Sequence, residues 1–491
     1  MFEDLQPAIV WQHFATLCRI PRQSKQEGPL RDHLQQWAQA RQLDTIVDTA
    51  GNLIIRKPAS AGYETAPGVV LQAHLDMVCQ KNAGSTHDFA RDPITTVIQD
   101  GWVQAPDTTL GADNGMGVAM ILAVLEDSTL QHGPIEALLT VDEEAGMGGA
   151  HGLQPGLLQG SLMLNLDTEE WGEFYLGCAG GADVNVERPG QAIACPPDHA
   201  TVRITLNGLR GGHSGVNIHE GRGNAIKLLV RVLADLGQRY GVQLAQLQGG
   251  TARNALPREA FATVTVPADQ LSAVQAALAN WHTLLQAEWS DIEPKLQLSL
   301  EATAATTTVL SSAEQAIWLN SLQAAPHGVK RMSLRVPGVV ETSNNLGMVD
   351  IQAQHGSCNF MVRSLISSGT QALADEIVGL FALSGTSATA SGHYPGWAPN
   401  PASPLLARCQ AVYRRDHGHD AKIQVIHAGL ECGLIAAQYP GMDIVSFGPT
   451  IRGAHAPGES VEVSAVVKTW NLLLAIIQAI AVDKAGQYRQ K

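Results

Sequence analysis

The sequence V-V-L-Q-A-H-L-D at residues 69–76 joins a short apolar run to two ionisable side chains, His74 and Asp76. The same pattern occurs twice more. The strand-like run at 135–140 leads to D-E-E at 142–144, and the run at 161–164 leads to N-L-D at 165–167. Runs of this kind are typical of buried strands, and in open α/β sheets ligands bind beyond the carboxyl ends of the strands. We therefore expect the three polar ends to converge on one site.

Residues 1 to about 180 alternate helical stretches with these runs, which predicts an α/β domain with a mostly parallel central sheet flanked by helices. Beyond residue 181 the pattern changes to alternating strands and long helices in two similar halves, which predicts an inserted α+β domain. The breaker-rich G-H-Y-P-G-W-A-P-N-P at 392–401 returns the chain to the first domain. The predicted organisation is one discontinuous domain, residues 1–181 and 395–491, interrupted by residues 182–394.

Composition limits the classes of protein that remain. The 491 residues carry 32 Lys and Arg against 46 Asp and Glu, a net charge of −14, which argues against nucleic-acid binding because phosphate neutralisation needs clustered cations. Glu3 and Asp4 stand where a secretory signal needs positive charge. The apolar run at residues 472–482 is too short to span a bilayer, and we expect it to form a buried C-terminal helix. The seven cysteines form no C-x-x-C pair. We expect reduced thiols, a cytoplasmic location and no membrane partner.

Five polar motifs follow one another along the chain: H-L-D at 74–76, G-A-D-N-G at 111–115, D-E-E at 142–144, N-L-D at 165–167 and G-A-H-A-P-G-E at 453–459. Imidazole and carboxylate groups suit Zn²⁺, and also Mn²⁺ or Co²⁺, without any thiolate. Taken singly, each motif is better explained by a buried structural histidine or an acidic loop. Five in sequence, three of them at strand ends, indicate a metal site.

These motifs, with G-L-R-G-G-H-S-G at 208–215 and A-R-N-A-L-P at 252–257, resemble the co-catalytic zinc metallopeptidase family that includes aminoacylases, carboxypeptidase G, succinyl-diaminopimelate desuccinylase and the carnosinases. The likeness runs over nearly the whole chain. It implies a zinc-exopeptidase-like catalytic domain, an inserted lid domain and two zinc ions per subunit. By similarity Asp113 bridges the two ions. His74 and Asp167 complete one site, and the other site is completed by Glu144 and His455.

Two acids beside the ligands have different expected roles. Asp76 lies two positions after His74, on the same side of a strand, where its carboxylate can accept the imidazole N–H and hold the tautomer. The alternative for Asp76 is a simple surface acid. By similarity Glu143 is the general base, which takes a proton from a metal-bridging water and delivers it to the leaving amine.

The resemblance also implies a contribution from the inserted domain. His213 matches the lid histidine that reaches the oxyanion of a tetrahedral intermediate, usually in the site of the partner subunit, so a homodimer through the lid domain is expected. Arg363, in F-M-V-R-S-L, suits a clamp on a terminal carboxylate, and Asn254 matches a position that contacts substrate. Gly429, in A-G-L-E-C-G, would let the substrate backbone approach closely. Turn, loop or structural roles are the alternative for all four.

The resemblance implies a zinc-dependent dipeptidase with a preference for Xaa-His substrates such as β-alanyl-histidine. Two alternatives stay open: a deacylase, aminoacylase or tripeptidase of the same family, and a non-catalytic binding protein that kept the fold. The resemblance further implies a cis peptide between Asp113 and Asn114. Six other histidines have no ligand spacing and are interpreted as ordinary surface or loop residues: His87, His132, His151, His327, His393 and His427.

Overall fold

The computed structural model describes residues 2–482 and divides the chain into two compact units. Unit 1 takes in the chain up to Gly177, Pro399–Val425 and the chain from Leu430 onward, and unit 2 is Cys178–Ala398 with Ile426–Gly429. The sequence places the boundaries a few residues away, at 181/182 and 394/395. Its first domain also includes residue 1 and residues 483–491, which lie outside the described residues.

One short segment is assigned differently by sequence and structure. The predicted catalytic domain, residues 1–181 and 395–491, includes residues 426–429, whereas the structure groups these residues with unit 2. The main-chain N–H of Ala179 donates to the carbonyl oxygens of Ile426 and Ala428, at 3.0 Å each. These hydrogen bonds join positions almost 250 residues apart in the chain, so local sequence patterns do not reveal them.

Unit 1 is built on an eight-stranded sheet whose four central strands are parallel and almost completely buried. Strands covered on both faces need the nearly continuous apolar runs found in the sequence. The strands at one edge pair antiparallel, so the expectation of a parallel sheet holds for its centre. Across the sheet the strands are Asp44–Val47, Leu53–Lys57, Ile135–Thr140, Val69–His74, Leu162–Asn165, Asp443–Ser446, Glu173–Cys178 and Lys422–Ile426.

Helices cover this sheet. The helix Ala112–Glu126 is buried along nearly its whole length because its residues after Asn114 are mostly apolar. The C-terminal helix Val463–Ala481 is long and apolar enough to cross a membrane by length and composition alone, yet half of its most apolar window is buried and it packs on Ala112–Glu126, as a core helix does. The remaining elements are the helices Ala8–Arg19, Gly28–Gln39, Gly148–Gly152, Pro404–His417 and Glu431–Gln438, and a small sheet of Val97–Gln99, Trp102–Gln104, Ser460–Glu462 and Ile451–Arg452.

Unit 2 contains a nine-stranded sheet in which eight strands form two halves with the same topology, which confirms the predicted similarity. In each half these elements follow the order strand, helix, strand, strand, helix, strand, and the strands lie in the order 4-1-3-2. The second half is discontinuous, because the first half lies between its first strand and its first helix. The second strands of the two halves, Gln243–Gly249 and Val340–Gln352, pair antiparallel and make the sheet continuous. The first half has strands His199–Asn207, Gln243–Gly249, Ala260–Pro267 and Gln297–Ala302, and the second has Gly180–Pro189, Val340–Gln352, His355–Ser364 and Ser387–Tyr394.

The helices of unit 2 bury their apolar faces in one hydrophobic core with this sheet. Two further strand pairings extend the fold: Gly328–Met332 pairs with Val340–Gln352, and Ala192–Ala194 pairs with Thr308–Leu310. The helices are Ala225–Tyr240, Leu271–Trp289, Ser312–Ala324 and Ser367–Ala382, with 3₁₀ turns at Ile218–Glu220 and Ala268–Gln270.

Candidate functional site

The candidate site of unit 1 lies at the carboxyl ends of the central strands. Each of three adjacent parallel strands leads within a few residues to a predicted ligand: His74, Glu144 or Asp167. Because the carboxyl ends of parallel strands share one edge of the sheet, these side chains come close together.

Asp113 stands between two groups of ligand atoms. Its Oδ1 lies 3.3 Å from His74 Nε2, and its Oδ2 lies 3.2 Å from His455 Nε2. Asp167 Oδ1 is 3.4 Å from His74 Nε2. Glu144 Oε1 is 3.0 Å from His455 Nε2. The structure thus brings together all five predicted ligands in two groups that share Asp113.

The residue after Asp113 also contributes. The Asp113–Asn114 peptide is cis, as the resemblance implies, and both residues have non-helical backbone angles inside the helix Ala112–Glu126. The Asn114 side-chain amide donates a hydrogen bond to Asp167 Oδ1. Asn114 therefore helps to orient a carboxylate of the first group.

The electrostatics of this cluster fit divalent cations. Burial raises the pKa of Asp167 and of Glu144, because desolvation penalises the charged form. Hydrogen bonds with Asp113 and Glu144 raise the pKa of His455 to about 11. Within residues 2–482 the ion pairs of these carboxylates are all with histidine, not with Lys or Arg. Three carboxylates and two imidazoles in mutual contact form a donor set for Zn²⁺ or a similar ion, which would replace the protons.

Asp76 is fully buried and has more partners than the predicted contact with His74. His74 Nδ1 lies 3.2 Å from the main-chain oxygen of Asp76 and 3.3 Å from its Oδ1, so Nε2 faces the other ligands. The Asp76 carboxylate also accepts the main-chain N–H of Glu143 at 3.0 Å and of Glu144 at 3.1 Å, and the hydroxyl of Ser24 at 2.8 Å. Burial opposes its ionisation, yet these contacts lower the pKa of Asp76 to about 2. Asp76 thus ties the acidic loop to His74.

Glu143 lies beside the ligands without belonging to the predicted ligand set. One of its carboxylate oxygens is within 4.8 Å of ligand atoms of His74 and Glu144. Burial raises the pKa of Glu143 well above the ordinary value; His74 opposes the rise, and the negative charge of Asp167 adds to it. A carboxylate with raised proton affinity is a stronger base than an ordinary glutamate, which suits it to accept a proton.

Sequence reasoning missed a row of buried polar side chains one layer below the ligands. Gln72 and Asn165 each lie two residues before a predicted ligand, and the Asn165 amide donates to Gln72 Oε1. The Glu431 carboxylate accepts from Gln72 Nε2 at 2.7 Å and from the Thr140 hydroxyl at 2.6 Å. All four side chains are fully buried. For Gln72, Thr140 and Asn165 the sequence offers one signal, a polar residue in a mostly apolar strand. Glu431 begins a helix and carries no such signal.

In unit 2, the main chain holds His213 in one orientation. Its Nδ1 accepts the N–H of Gly215 at 3.2 Å and of Val216 at 3.0 Å, from which we infer that the neutral ring carries its proton on Nε2. Burial and the charge of Arg363 lower the pKa of His213 to about 4. A neutral histidine that can donate from Nε2 is the form suited to stabilise an oxyanion.

Arg363 is 4% exposed and its hydrogen-bond partners are neutral. Its Nη1 donates to the Tyr394 hydroxyl at 3.0 Å and its Nε to Ser214 Oγ at 3.4 Å. Within the described part of the chain no carboxylate forms an ion pair with it, since the nearby Asp183 is paired with Arg253. A buried guanidinium without an anionic partner is costly, and the carboxylate of a bound molecule would supply the missing charge.

The other two predicted substrate contacts are also in unit 2. Asn254 is exposed, and its main-chain oxygen accepts the N–H of Ser214 at 2.8 Å, which places it beside the His213 loop. Gly429 ends the segment 426–429 that pairs with Ala179. The roles of both residues toward substrate stay predictions.

His427 lies in the bend after the strand Lys422–Ile426, as a loop residue would, but it is buried and does not lie at the surface. His427 is 6% exposed, and its Nε2 lies 2.7 Å from Ser343 Oγ. His132 is likewise buried, at 2%. Ser343 belongs to the strand Val340–Gln352, more than 80 residues earlier in the chain. Burial by so distant a partner leaves no mark in the local sequence around His427.

We expect His427 to make the folding of unit 2 sensitive to acid. Burial, with Arg363 and then His213 and His219 nearby, lowers the pKa of His427 to about 3. In the unfolded chain the same histidine binds a proton near pH 6.5. The contribution of His427 to the free energy of unfolding is therefore fully present above that pH and is lost as the pH falls. Between pH 7 and pH 5 the loss from this residue is about 2 kcal/mol. Urea unfolding of His427→Gln at both pH values should show a smaller acid loss than wild type, and equal losses would contradict the prediction.

Comparison with known proteins places this chain in a family. The family model for peptidase family M20/M25/M40 matches residues 70–479. The chain is 44% identical over 477 residues to the cytosol non-specific dipeptidase of Escherichia coli strain K12, covering 97% of this chain and 98% of that protein. The crystal structure of aminoacylhistidine dipeptidase from Vibrio alginolyticus has a TM-score of 0.90 at 44% identity and covers 98% of both chains.

A more distant structure shows the fold alone. Aminopeptidase PepT from Bacillus cereus is 17% identical, covers 97% of this chain and 99% of its own, and has a TM-score of 0.56. The family match spans most of the chain and contains all five predicted metal ligands. On this match and on the extent of the 44% identity, the chain belongs to peptidase family M20/M25/M40.

Proposed function

We propose that this protein is a zinc-dependent dipeptidase with a preference for Xaa-His dipeptides such as β-alanyl-histidine. The observation that carries the proposal is the position of Asp113, whose two oxygens lie 3.3 Å and 3.2 Å from nitrogens of His74 and His455. A carboxylate whose two oxygens face different ligand groups is suited to bridge the two ions of a two-metal centre. The names of the two relatives at 44% identity, both dipeptidases and one an aminoacylhistidine dipeptidase, support the substrate class.

The residues of unit 1 divide the chemistry among them. Two divalent cations held by the five ligands would polarise the scissile carbonyl and lower the pKa of a bound water to ~7. Glu143 accepts the proton of the attacking water, a step that its raised pKa favours, and then returns the proton to the leaving amine. Asp76 orients His74 and holds the main chain of Glu143, so that the base keeps its place beside the ligands.

Two residues of unit 2 are proposed to act on the substrate. His213 donates from Nε2 to the oxyanion, because its Nδ1 is already occupied by main-chain donors. Arg363 holds the terminal carboxylate through its planar fork, and the hydroxyls of Tyr394 and Ser214 orient that fork. A free carboxylate on the substrate thereby becomes a condition for tight binding.

Metal analysis combined with a substrate panel tests this function. The panel contains Xaa-His dipeptides, other dipeptides, the C-terminal amides of both, tripeptides and N-acyl amino acids. We expect two metal ions per chain, loss of activity on chelation, recovery with Zn²⁺, and the highest kcat/KM for Xaa-His. Amidation should lower kcat/KM by ~10-fold or more, because Arg363 loses a charged partner worth about 1.5–3 kcal/mol.

Other outcomes of the panel would replace the proposal. Preferred cleavage of N-acyl amino acids or tripeptides would make the protein a deacylase or a tripeptidase. A purified chain with neither bound metal nor chelator-sensitive activity would be a binding protein.

A homodimer through unit 2 and a cytoplasmic location belong to the same proposal. Unit 2 exposes apolar side chains, among them Val329, Met332 and Leu334, that a second copy would cover. The word cytosol in the name of the Escherichia coli relative supports the location.

A further inference from the structure

The carboxylate of Glu459 is almost completely buried and accepts four consecutive main-chain N–H groups. Its Oε2 accepts from Leu110 at 2.8 Å and Gly111 at 2.9 Å, and its Oε1 accepts from Ala112 at 2.8 Å and Asp113 at 3.2 Å. Glu459 itself is 2% exposed. This one side chain therefore accepts N–H groups at the start of the helix Ala112–Glu126 that have no partner inside the helix.

This contact joins two segments that each bring a predicted ligand. Glu459 lies four residues after His455, and the N–H groups it accepts end at Asp113 itself. The main chain of Glu459 is also held, since its carbonyl oxygen accepts the N–H of Ala105 at 3.1 Å. The chain separation between Glu459 and Leu110 is 349 residues. The carboxylate is therefore a short connection between two distant parts of the sequence that meet at the second ligand group.

Arg22 makes the matching connection to the first ligand group. Arg22 is 2% exposed, and its Nη1 donates to the main-chain oxygens of Leu75 and Asp76, at 3.0 Å each. Nη2 donates to the main-chain oxygen of Gly111, in the same turn that Glu459 holds. Gly111 has φ +71, and a Cβ there would lie 2.3 Å from Arg22 Nη2, so the close approach requires glycine.

We propose that Glu459 is a positioning residue that, together with Arg22, sets the spacing of Asp113 relative to His455 and His74 and so preorganises the two-metal centre. The proposal rests on the proposed ligand set. Asp113 can serve both groups only if each of its oxygens points at a different histidine, which demands that its backbone be fixed with respect to both. The anionic Glu459 contacts the N–H of Asp113, and the cationic Arg22 contacts the main-chain oxygen of Gly111 in the same turn. Neither residue occupies a ligand position.

The replacement Glu459→Gln tests this role with little change in shape. A glutamine retains one carbonyl acceptor but turns an NH₂ group toward two of the four N–H donors, so the turn must move. Loss of a residue that orients metal ligands typically weakens metal binding by ~10- to 100-fold. We expect a weakening of this size in competition with a chelator, a lower kcat with little change in KM, and shifted absorption bands of the Co²⁺-substituted protein.

Glu136→Gln is the matched control. Glu136 is a buried carboxylate of the same unit that accepts main-chain N–H groups, from Gln159 at 2.7 Å and Gly160 at 2.8 Å. It lies near the amino end of its strand, away from the ligands at the carboxyl end. We expect Glu136→Gln to lower the urea midpoint of the metal-free protein while metal affinity and the Co²⁺ spectrum stay as in wild type.

The outcomes separate this inference from the function it rests on. If wild type binds two metals and Glu459→Gln binds them as tightly, with an unchanged Co²⁺ spectrum, the inference on Glu459 is overturned and the proposed function stands. If wild type itself binds no metal, the proposed function fails first. If Glu459→Gln does not fold, the variant Glu459→Asp tests the inference in its place. Aspartate keeps the charge but is one methylene shorter, so its carboxylate no longer reaches the turn. Wild-type metal affinity in Glu459→Asp would overturn the inference.

Discussion

Replacement of Glu143 by alanine is expected to lower kcat by ~10²- to 10⁴-fold while both metal ions stay bound. The side chain lies beside both ligand groups, and its removal leaves the five ligands in place. Its main-chain N–H, which donates to Asp76, is retained in the variant. The loss should therefore fall on proton transfer and not on the architecture of the site.

The neighbouring Glu144 provides the control for this experiment. Glu144 contacts His455 in the second ligand group, so Glu144→Ala should lose a metal ion as well as activity. Steady-state kinetics with a saturating dipeptide, together with the metal content of both variants, distinguish the two roles. Near-wild-type kcat in Glu143→Ala would sink the assignment of the general base.

Replacement of Asp113 by alanine is expected to reduce the metal content from two ions to fewer than one per chain. Asp113 is the member common to both ligand groups, and without its charge two bound cations would repel each other at close range. The loss of affinity should exceed the ~10- to 100-fold expected for a residue that only orients ligands. Activity should fall to the background of the assay.

The exposed Asp107, six residues earlier, offers a control with the same change of charge. Asp107→Ala should keep both metal ions and full activity. The metal content of each dialysed variant and its kcat/KM for one dipeptide are sufficient measurements. Retention of two tightly bound ions by Asp113→Ala would rule out the bridging role.

Much of the candidate site could be predicted because its ligands follow strands with a strong apolar pattern. His74 and Asp167 end or follow runs that are buried on both faces, and such runs are legible in a single sequence. The pairing of ligands into two groups came from the resemblance to a family and not from spacing. The structure places the predicted ligands in those groups, and their metal-binding roles remain to be tested.

The supporting residues could not be predicted in the same way. Asp76 was expected to contact His74, but its hydrogen bonds to the N–H groups of Glu143 and Glu144 depend on how two strand ends meet. Glu459 stands inside a quoted motif, yet nothing in G-A-H-A-P-G-E tells that its carboxylate reaches Leu110. The burial of His427 depends in the same way on a distant strand.

By itself the sequence determined the order of the ligand-bearing segments, the α/β character of the first unit and the two similar halves of the second. These features follow from local periodicity and from residue type, which short-range geometry converts into strands and helices. Only the tertiary structure decided which polar groups are buried and which oxygen of Asp113 faces which histidine. It also decided that the carboxylate of Glu459 holds the turn that leads to Asp113. The reason is physical: hydrogen bonds and desolvation depend on neighbours in space, and at this site the decisive neighbours are up to 349 residues apart along the chain.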